Sequence, residues 1–295
     1  MNLVDPDSDG DGSADGSEIA GGYDPGDPSS YPPSSSLVFE IGSIQLNHTW
    51  TQVVFKELYV DPIVVAKPIS LNGGHPAVIR IRDVDSSGFD IRIQEWDYLD
   101  GSHTKETVSY LVMEKGNFTL DDGTQIEAGR FETNITGSFD TFNFSQIFPN
   151  KPVLLAGISS LHETDAVTAR LRNISNHGFE FCMQEQELNS KEHAEETVDY
   201  IAWQSSKGIV NGYTFEVSNT ANKVKDGFYN IDFQQSFVSP PHFLADMQTS
   251  DGKDTANIRW RNKTKYSIEV QIDEEQSKNT ETGHTTEVVG YMVFE

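Results

Sequence analysis

An internal repeat in residues 37–295 constrains this chain more than any other feature of its sequence. Each copy contains an Arg-x-Arg pair, whose second arginine is Arg82, Arg172 or Arg261, so successive copies lie 90 and 89 residues apart. A glutamate follows each of these arginines by 13 residues. A His-x-x-Glu-x-x-x-Tyr motif comes next, as His103/Glu106/Tyr110, His193/Glu196/Tyr200 and His284/Glu287/Tyr291. Three matching registers predict three copies of one structural unit.

The pattern inside each copy is that of short β-strands. Residues 77–82 and 89–93 alternate apolar and polar side chains, and the Asp85-Ser-Ser-Gly88 sequence between them is typical of a turn. No window shows a long helical stripe. The sequence predicts an all-β chain with three tandem small antiparallel β-sandwiches of about six strands each, at 37–116, 117–208 and 209–295. Three units in one chain could also close into an intramolecular pseudo-trimer.

Charge limits the partners of this chain. It carries 46 acidic and 21 basic side chains, for a formal charge of −25. Nucleic-acid binding requires a basic surface, and docking on anionic lipid does too. No apolar run is long enough for a membrane-spanning helix, so we expect no membrane insertion. The acid excess fits salty surroundings, in which counterions weaken self-repulsion.

Residues 1–36 differ from the rest and are rich in Asp, Ser, Gly and Pro. Oxygen donors recur there at the spacing of a calcium-binding loop, with Gly12 at the sharp turn. The predicted Ca²⁺ ligands are Asp7, Asp9, Asp11, Ser13, Asp15 and Glu18. The alternative is a solvated acidic linker. Residues 31–36, Tyr-Pro-Pro-Ser-Ser-Ser, predict a semi-rigid linker to the first repeat.

The segment DPDSDGDGSADGSEIAGGYDPGDPSS resembles the calcium-binding repeats of thrombospondin type 3. This resemblance implies a connector that calcium orders. It also implies an extracellular or cell-surface location.

The repeated units resemble the H-type lectins, the family of snail agglutinins and of the C-terminal part of discoidins. The matching features in the first unit are Phe55 before Pro62, an arginine-rich strand, Gly88-Phe89 at a strand start, Trp96 at its end, and a Ser-Tyr-Leu-Val exit strand at 109–112. The resemblance implies six-stranded sandwiches that trimerise. It also implies a rim site for galactose or N-acetylgalactosamine.

The resemblance places a carbohydrate-binding site at Trp96, Asp97, Tyr98 and His103. Where the family has an aromatic-histidine pair, unit 1 has Trp96-Asp97, while the later units have Gln186-Glu187 and Glu275-Gln276. Only Trp96 keeps an aromatic surface on which a sugar could stack. We therefore expect sugar binding in the first unit.

The recurrent polar residues allow three interpretations. They can be scaffold groups, in which glutamates pair with arginines at sheet or unit interfaces. They can be ligands for a sugar or a metal ion. They can also form an acid-base set that cleaves an acidic polysaccharide. The set comprises Arg82, Glu95, Glu106, Tyr110, Arg172, Glu185, His193, Glu196, Tyr200, Arg261, Glu274, His284, Glu287 and Tyr291.

Together these features predict the extracellular carbohydrate-binding region of a secreted or cell-surface protein, with glycans or polysaccharides as partners. A structural or adhesive module that self-assembles, or a subunit of a surface fibre, is the alternative. A polysaccharide lyase or hydrolase is a third hypothesis. The sequence contains none of the phosphate-loop, nucleophile-elbow or zinc-protease motifs, and we do not expect an enzyme.

Overall fold

Every regular element among the described residues is a β-strand. The structure is a computed structural model, and it describes residues 8, 24–27, 37–189 and 193–295. The predicted all-β fold class is confirmed. The chain divides into a unit at Met1–Val38 and a compact unit at Phe39–Glu295. In the first of these, the backbone N–H of Asp27 donates to the carbonyl of Asp24 in a tight turn.

Repeat 1 (residues 37–116) supplies six strands that form two small antiparallel layers. The strands are β1 (Phe39–Leu46), β2 (Thr51–Val54), β3 (Pro62–Ser70), β4 (Ala77–Asp85), β5 (Gly88–Glu95) and β6 (Glu106–Glu114). One layer has the order β1-β6-β3, and the other has the order β2-β5-β4.

Repeats 2 (117–208) and 3 (209–295) reproduce this strand order, each with one additional strand that forms a hairpin with the first. Repeat 2 contains β7 (Gly116–Thr119), β8 (Gln125–Thr133), β9 (Asp140–Asn143), β10 (Val153–Ile158), β11 (Val167–Arg172), β12 (Gly178–Glu185) and β13 (Glu196–Trp203). Repeat 3 contains β14 (Ser206–Val210), β15 (Tyr213–Asn219), β16 (Tyr229–Asp232), β17 (His242–Met247), β18 (Ala256–Arg261), β19 (Ser267–Glu274) and β20 (Val289–Phe294). The corresponding layers are β10-β13-β8-β7 with β11-β12-β9, and β14-β15-β20-β17 with β18-β19-β16. A short parallel pairing of β3 with β18 joins the first layer of repeat 1 to the second layer of repeat 3 as one six-stranded sheet, β1-β6-β3-β18-β19-β16.

Alternating burial places a separate apolar core within each of the later repeats. In β19, every second residue from Ile268 is buried, as expected for a strand with one face on a core. The repeat 2 core includes Phe148, Leu154 and Phe181, and the repeat 3 core is built in the same way around Phe243. Repeats 2 and 3 thus each have their own apolar interior.

The equivalent strands β3, β10 and β17, here called the central strands, meet in the centre of the compact unit, where each contacts the other two. On each of these strands, the residues that face the sandwich core alternate with a second series of buried residues on the opposite face. Val65, Leu155 and Leu244 are each 0% exposed, although they lie on the strand face opposite the sandwich cores. This second series faces the other repeats. The repeats therefore surround a shared apolar axis.

Side chains of one repeat satisfy the edge backbone of the preceding repeat. The N–H of Val64 in β3 donates to Asp199 of repeat 2 (2.8 Å), and the N–H of Ala156 in β10 donates to Asp246 of repeat 3 (3.1 Å). The N–H of Phe243 in β17 closes the cycle by donating to Ser109 of repeat 1 (3.1 Å). Buried backbone N–H groups need such partners, and the cyclic order shows that the three repeats form a closed ring.

Candidate functional site between the repeats

One arginine of each repeat is buried against the next repeat. Arg80, Arg170 and Arg259 are all 0% exposed. Their guanidinium groups pair with Glu196 at 3.3 Å, Glu287 at 2.6 Å and Glu106 at 2.9 Å, respectively. Repeat 1 thus binds repeat 2, repeat 2 binds repeat 3, and repeat 3 binds repeat 1. The ring of ion pairs runs in the same direction as the ring of backbone hydrogen bonds.

Each buried arginine also donates to backbone carbonyls in the loop that follows the central strand of the next repeat. Arg259 donates to the carbonyls of Ser70 (2.9 Å), Gly73 (3.0 Å) and His75 (3.0 Å). Arg80 makes the equivalent contact to the carbonyl of Glu163 (2.9 Å). The planar guanidinium suits this geometry because it presents several donors in a fixed fork. Each of these arginines therefore anchors a loop of the next repeat in addition to pairing with a glutamate.

A buried histidine bridges two glutamates behind each arginine. The Nδ1 atom of His193 lies 2.9 Å from Glu185, and its Nε2 atom lies 3.4 Å from Glu196. The same bridge joins His103 to Glu95 and Glu106 at 3.0 and 3.4 Å. In repeat 3 the partners of His284 are Glu274 and Glu287, at 2.5 and 3.3 Å. The recurrent polar residues at these positions therefore form three interface networks.

The glutamates beside the arginines are held as carboxylates. Burial raises the pKa of Glu196, but hydrogen bonds from His193 and Ser160, a backbone N–H and the charge of Arg80 outweigh it and lower the pKa to about 2. The pKa of Glu287 is lowered to about 2 by the corresponding groups. The pKa of Glu106 is also lowered. Each network thus presents a fixed negative charge to its arginine.

The pKa values of other groups in these networks are shifted as well. Burial lowers the pKa of His193, but its hydrogen bonds to Glu196 and Glu185 dominate and raise it. Burial raises the pKa of Glu185, and burial also raises that of Glu274. The raised pKa of His193 favours its imidazolium form beside the Glu196 carboxylate, whereas burial favours the neutral form of Glu185.

The recurrent tyrosines belong to a separate set inside each sandwich. Tyr200 donates its hydroxyl to Glu127 at 2.6 Å, and Tyr291 donates to Glu216 at 2.6 Å. Glu40 is the corresponding buried glutamate of repeat 1, two residues before Gly42, which lies opposite Tyr110. Sequence reasoning missed these buried glutamates. Their spacing in the sequence could have indicated them. Each glutamate lies two residues before the residue opposite the tyrosine, which is Gly42 in repeat 1.

The second arginine of each Arg-x-Arg pair lies on the outer surface. Arg172 pairs with Glu180 of the neighbouring strand at 2.6 Å and stacks on Phe139. Arg82 pairs with Asp90 and stacks on Trp50. Arg261 pairs with Glu269 and stacks on Phe228. These three arginines, which the sequence analysis singled out, do not reach the interface glutamates. The first arginine of each pair, two residues earlier on the same strand face, makes the contact with the interface glutamate.

The structure does not support sugar stacking on Trp96. This side chain is 1% exposed and packs against Val78 and Ala166 of the next repeat, so neither ring face is open. His103 is buried in the interface network described above. Asp97 is exposed, and Tyr98 is 39% exposed with its hydroxyl accepting the N–H of Gln276. The four residues expected to bind sugar are therefore split between the interior and the rim.

The predicted calcium ligands Asp7, Asp9, Asp11, Ser13, Asp15 and Glu18 lie outside the described residues. Calcium binding by the connector stays a prediction.

A pocket lies where strands of all three repeats meet. It is lined by the central strands β3, β10 and β17 and by β4, β11 and β18. Lys67 pairs with Asp246 at 2.6 Å on its wall, and Thr168 donates to Asn257 at 2.5 Å. These polar groups of the described lining bind one another across repeats. The wall of the pocket is thus mainly apolar, and its two charged side chains, Lys67 and Asp246, are paired with each other.

The fold and the interface networks define a class of protein: an all-β chain in which three sandwich repeats close a ring through buried ion pairs. The chain is similar to halomucin of Haloquadratum walsbyi (strain DSM 16790 / HBSQ001), with 31% identity over 277 residues. The match covers 89% of this chain and 3% of the length of halomucin. No protein-family model matches the sequence, and no solved structure matches it. No helix in the described part of the chain has the length and apolar character needed to cross a lipid bilayer.

Proposed function

We propose that this chain is a structural module of a secreted or cell-surface protein. The observation that carries the proposal is the closed ring of Arg80–Glu196, Arg170–Glu287 and Arg259–Glu106 pairs, all of them buried. Because the first arginine, the histidine and the two glutamates that recur in every repeat form the networks that join the repeats, these residues serve architecture. The ring builds a rigid block without help from a second chain.

The surface supports an extracellular role in a salt-rich medium. The formal charge of −25 on the whole chain favours solubility and repels neighbouring molecules, and dissolved salt screens the repulsion within the chain. Similarity to a segment of halomucin points in the same direction. The predicted Ca²⁺ loop at Asp7–Glu18 would stiffen the connector that precedes the block.

The test has two arms. Limited proteolysis of intact source cells, followed by detection with antibodies against residues 37–295, should release this region without lysis. Small-angle scattering of the purified chain should show a compact block of one chain that persists from 0.1 to 3 M KCl. Protection of the region in intact cells contradicts the location, and an extended string contradicts the structural role.

Carbohydrate binding is the second candidate function, and the rim between repeats 1 and 3 favours it. Tyr98 is half-exposed there beside Asp97 and Asp100, and His75 of the adjacent loop has a side chain that is 53% exposed. An amphipathic ring with polar neighbours suits a sugar face. The resemblance to H-type lectins points to galactose or N-acetylgalactosamine as the first ligands to test.

A glycan array with the wild type and Tyr98→Ala decides this candidate. Signals that Tyr98→Ala abolishes support a rim site. Signals that are absent from the wild type, or unchanged in the variant, rule out sugar binding through this surface.

A further inference from the structure

We propose that His75, Glu95 and Asp100 form a binding site for a divalent transition-metal ion of the zinc class on repeat 1. One ligand atom from each of these side chains lies within 4.8 Å of the other two. The Nδ1 atom of His75 is 3.0 Å from Oε1 of Glu95. Zinc bonded at about 2.0 Å separates tetrahedral ligand atoms by about 3.3 Å, so small rotations of exposed side chains complete the site.

The three ligands come from different depths and different loops. Glu95 ends β5 and has a side chain that is 1% exposed, whereas His75 lies in the loop between β3 and β4 and is half-exposed. Asp100 is exposed in the loop after β5. The buried carboxylate thus forms the floor of the site, and the two exposed side chains approach it from the solvent side. An ion can reach this site from solution.

Neighbouring groups hold each ligand in place. His103 contacts Oε1 of Glu95 from the interior at 3.0 Å, and the N–H of Gly101 donates to Oε2 at 3.2 Å. The N–H of Ser102 donates to Asp100 at 2.9 Å. Arg259 of repeat 3 donates to the backbone carbonyl of His75 at 3.0 Å. Such outer contacts orient ligands and strengthen metal binding.

The other two repeats show that this arrangement is specific to repeat 1. The position of His75 is occupied by Asp165 in repeat 2 and by Asp254 in repeat 3. In repeat 2, Asp165 accepts a hydrogen bond from the amide of Asn189 at 2.9 Å. The imidazole is therefore not required by the fold. It is the residue that gives repeat 1 a ligand set with both nitrogen and oxygen.

The ligand types select the kind of ion. One imidazole with two carboxylates suits Zn²⁺, Co²⁺ or similar ions, whereas Ca²⁺ and Mg²⁺ prefer all-oxygen sites. Three protein ligands leave a coordination position for water. A divalent cation would also lie between the carboxyl groups of Glu95 and Asp100 and attract both.

Titration of the full chain with Co²⁺, followed by displacement with Zn²⁺, tests the proposal. The solution contains 1 M KCl to suppress loose binding to the acidic surface, and excess CaCl₂ to occupy the acidic connector. We expect one equivalent of Co²⁺ to give a visible absorption band that Zn²⁺ removes. His75→Ala and Asp100→Asn should weaken binding at least tenfold.

His177→Ala is the matched control, because His177 is an exposed histidine in a turn of repeat 2. It should bind Co²⁺ as the wild type does. His75→Asp, which copies repeat 2, should lose the visible band. Circular dichroism in EDTA checks that all variants are folded. Equal Co²⁺ affinity of the wild type and His75→Ala, or a wild type without a saturable site, overturns the proposal.

Discussion

Arg80 of repeat 1 and Glu196 of repeat 2 form an ion pair at 3.3 Å in which neither side chain is exposed to solvent. Desolvation is severe enough to lower the pKa of Arg80 to about 10, even though Glu196 opposes the shift. Backbone carbonyls accept from the terminal nitrogens of Arg80, and backbone amides donate to Glu196, whereas Nε of Arg80 has no hydrogen-bond partner among the described residues. The interface thus combines the ion pair with hydrogen bonds to the backbone.

Removal of one buried arginine should strongly destabilise the ring. Arg170→Met leaves Glu287 as a buried carboxylate without its cation, and we expect a loss of about 3–5 kcal/mol in the free energy of unfolding. Arg172→Met is the matched control, because its exposed pair with Glu180 contributes about 1 kcal/mol or less. Urea unfolding at pH 7 measures both values. Similar losses in the two variants would show that the buried pair does not stabilise the ring.

Acid should unfold the compact unit through the interface glutamates. Glu196 and Glu287 have pKa values of about 2, below the ordinary 4.5. A lowered pKa contributes stability that is present above the ordinary value and is lost as pH falls toward the folded value. We therefore expect the urea midpoint to decrease steeply between pH 4.5 and 2, at constant ionic strength.

Two variants assign this acid sensitivity. Glu196→Gln should flatten the decrease between pH 4.5 and 2, since its interface position no longer titrates. Glu57→Gln, at an exposed site, should keep the wild-type profile. If both profiles match the wild type, the acid transition arises elsewhere.

A carboxyl pair between repeats 2 and 3 should destabilise the protein at alkaline pH. Burial and the nearby Asp254 raise the pKa of Glu187 to about 7. A raised carboxyl pKa means that stability is lost as pH rises from 4.5 through 7, when the charged form accumulates. Glu187→Gln should therefore increase the free energy of unfolding at pH 8 by about 1 kcal/mol after solvent screening, and by little at pH 4.

A double-mutant cycle checks the partner. Asp254→Asn alone should give a similar gain at pH 8, and the two gains should not add. Additive gains would show that the two carboxyl groups do not interact.

Trp96 should matter for stability, whereas Tyr98 should not. Trp96→Ala removes a ring that is packed across the interface of repeats 1 and 2, with an expected loss of about 3–5 kcal/mol. Tyr98→Ala removes a side chain that is 39% exposed and should change the free energy by about 1 kcal/mol or less. Thermal or urea unfolding separates the two. A stable Trp96→Ala variant would mean that this ring is not part of the interface.

The periodic features of the sequence were sufficient to predict the fold class. Alternation in residues 77–82 and 89–93 predicted β4 and β5, and the 90-residue period predicted that their counterparts recur as β11, β12, β18 and β19. Strand patterns depend on local burial, which short-range alternation reports directly.

Contacts between repeats were harder to predict. Arg80 and Arg82 have the same chemistry and lie on the same strand face, yet one is buried and the other is exposed. Only the position of the next repeat distinguishes them. Trp96 was misjudged for the same reason, since the residue that covers it, Ala166, is 70 residues away. His75 was overlooked because its position does not repeat.

The closed ring also brings the two ends of the compact unit together. The rings of Phe39 in β1 and Phe294 in β20 lie 5.9 Å apart. A polypeptide that continues in both directions would enter and leave the block at nearly the same point. Such a block adds bulk to a long filament but almost no contour length, and a pull on the filament would load the contact between β1 and β20 before the buried arginines of the interior.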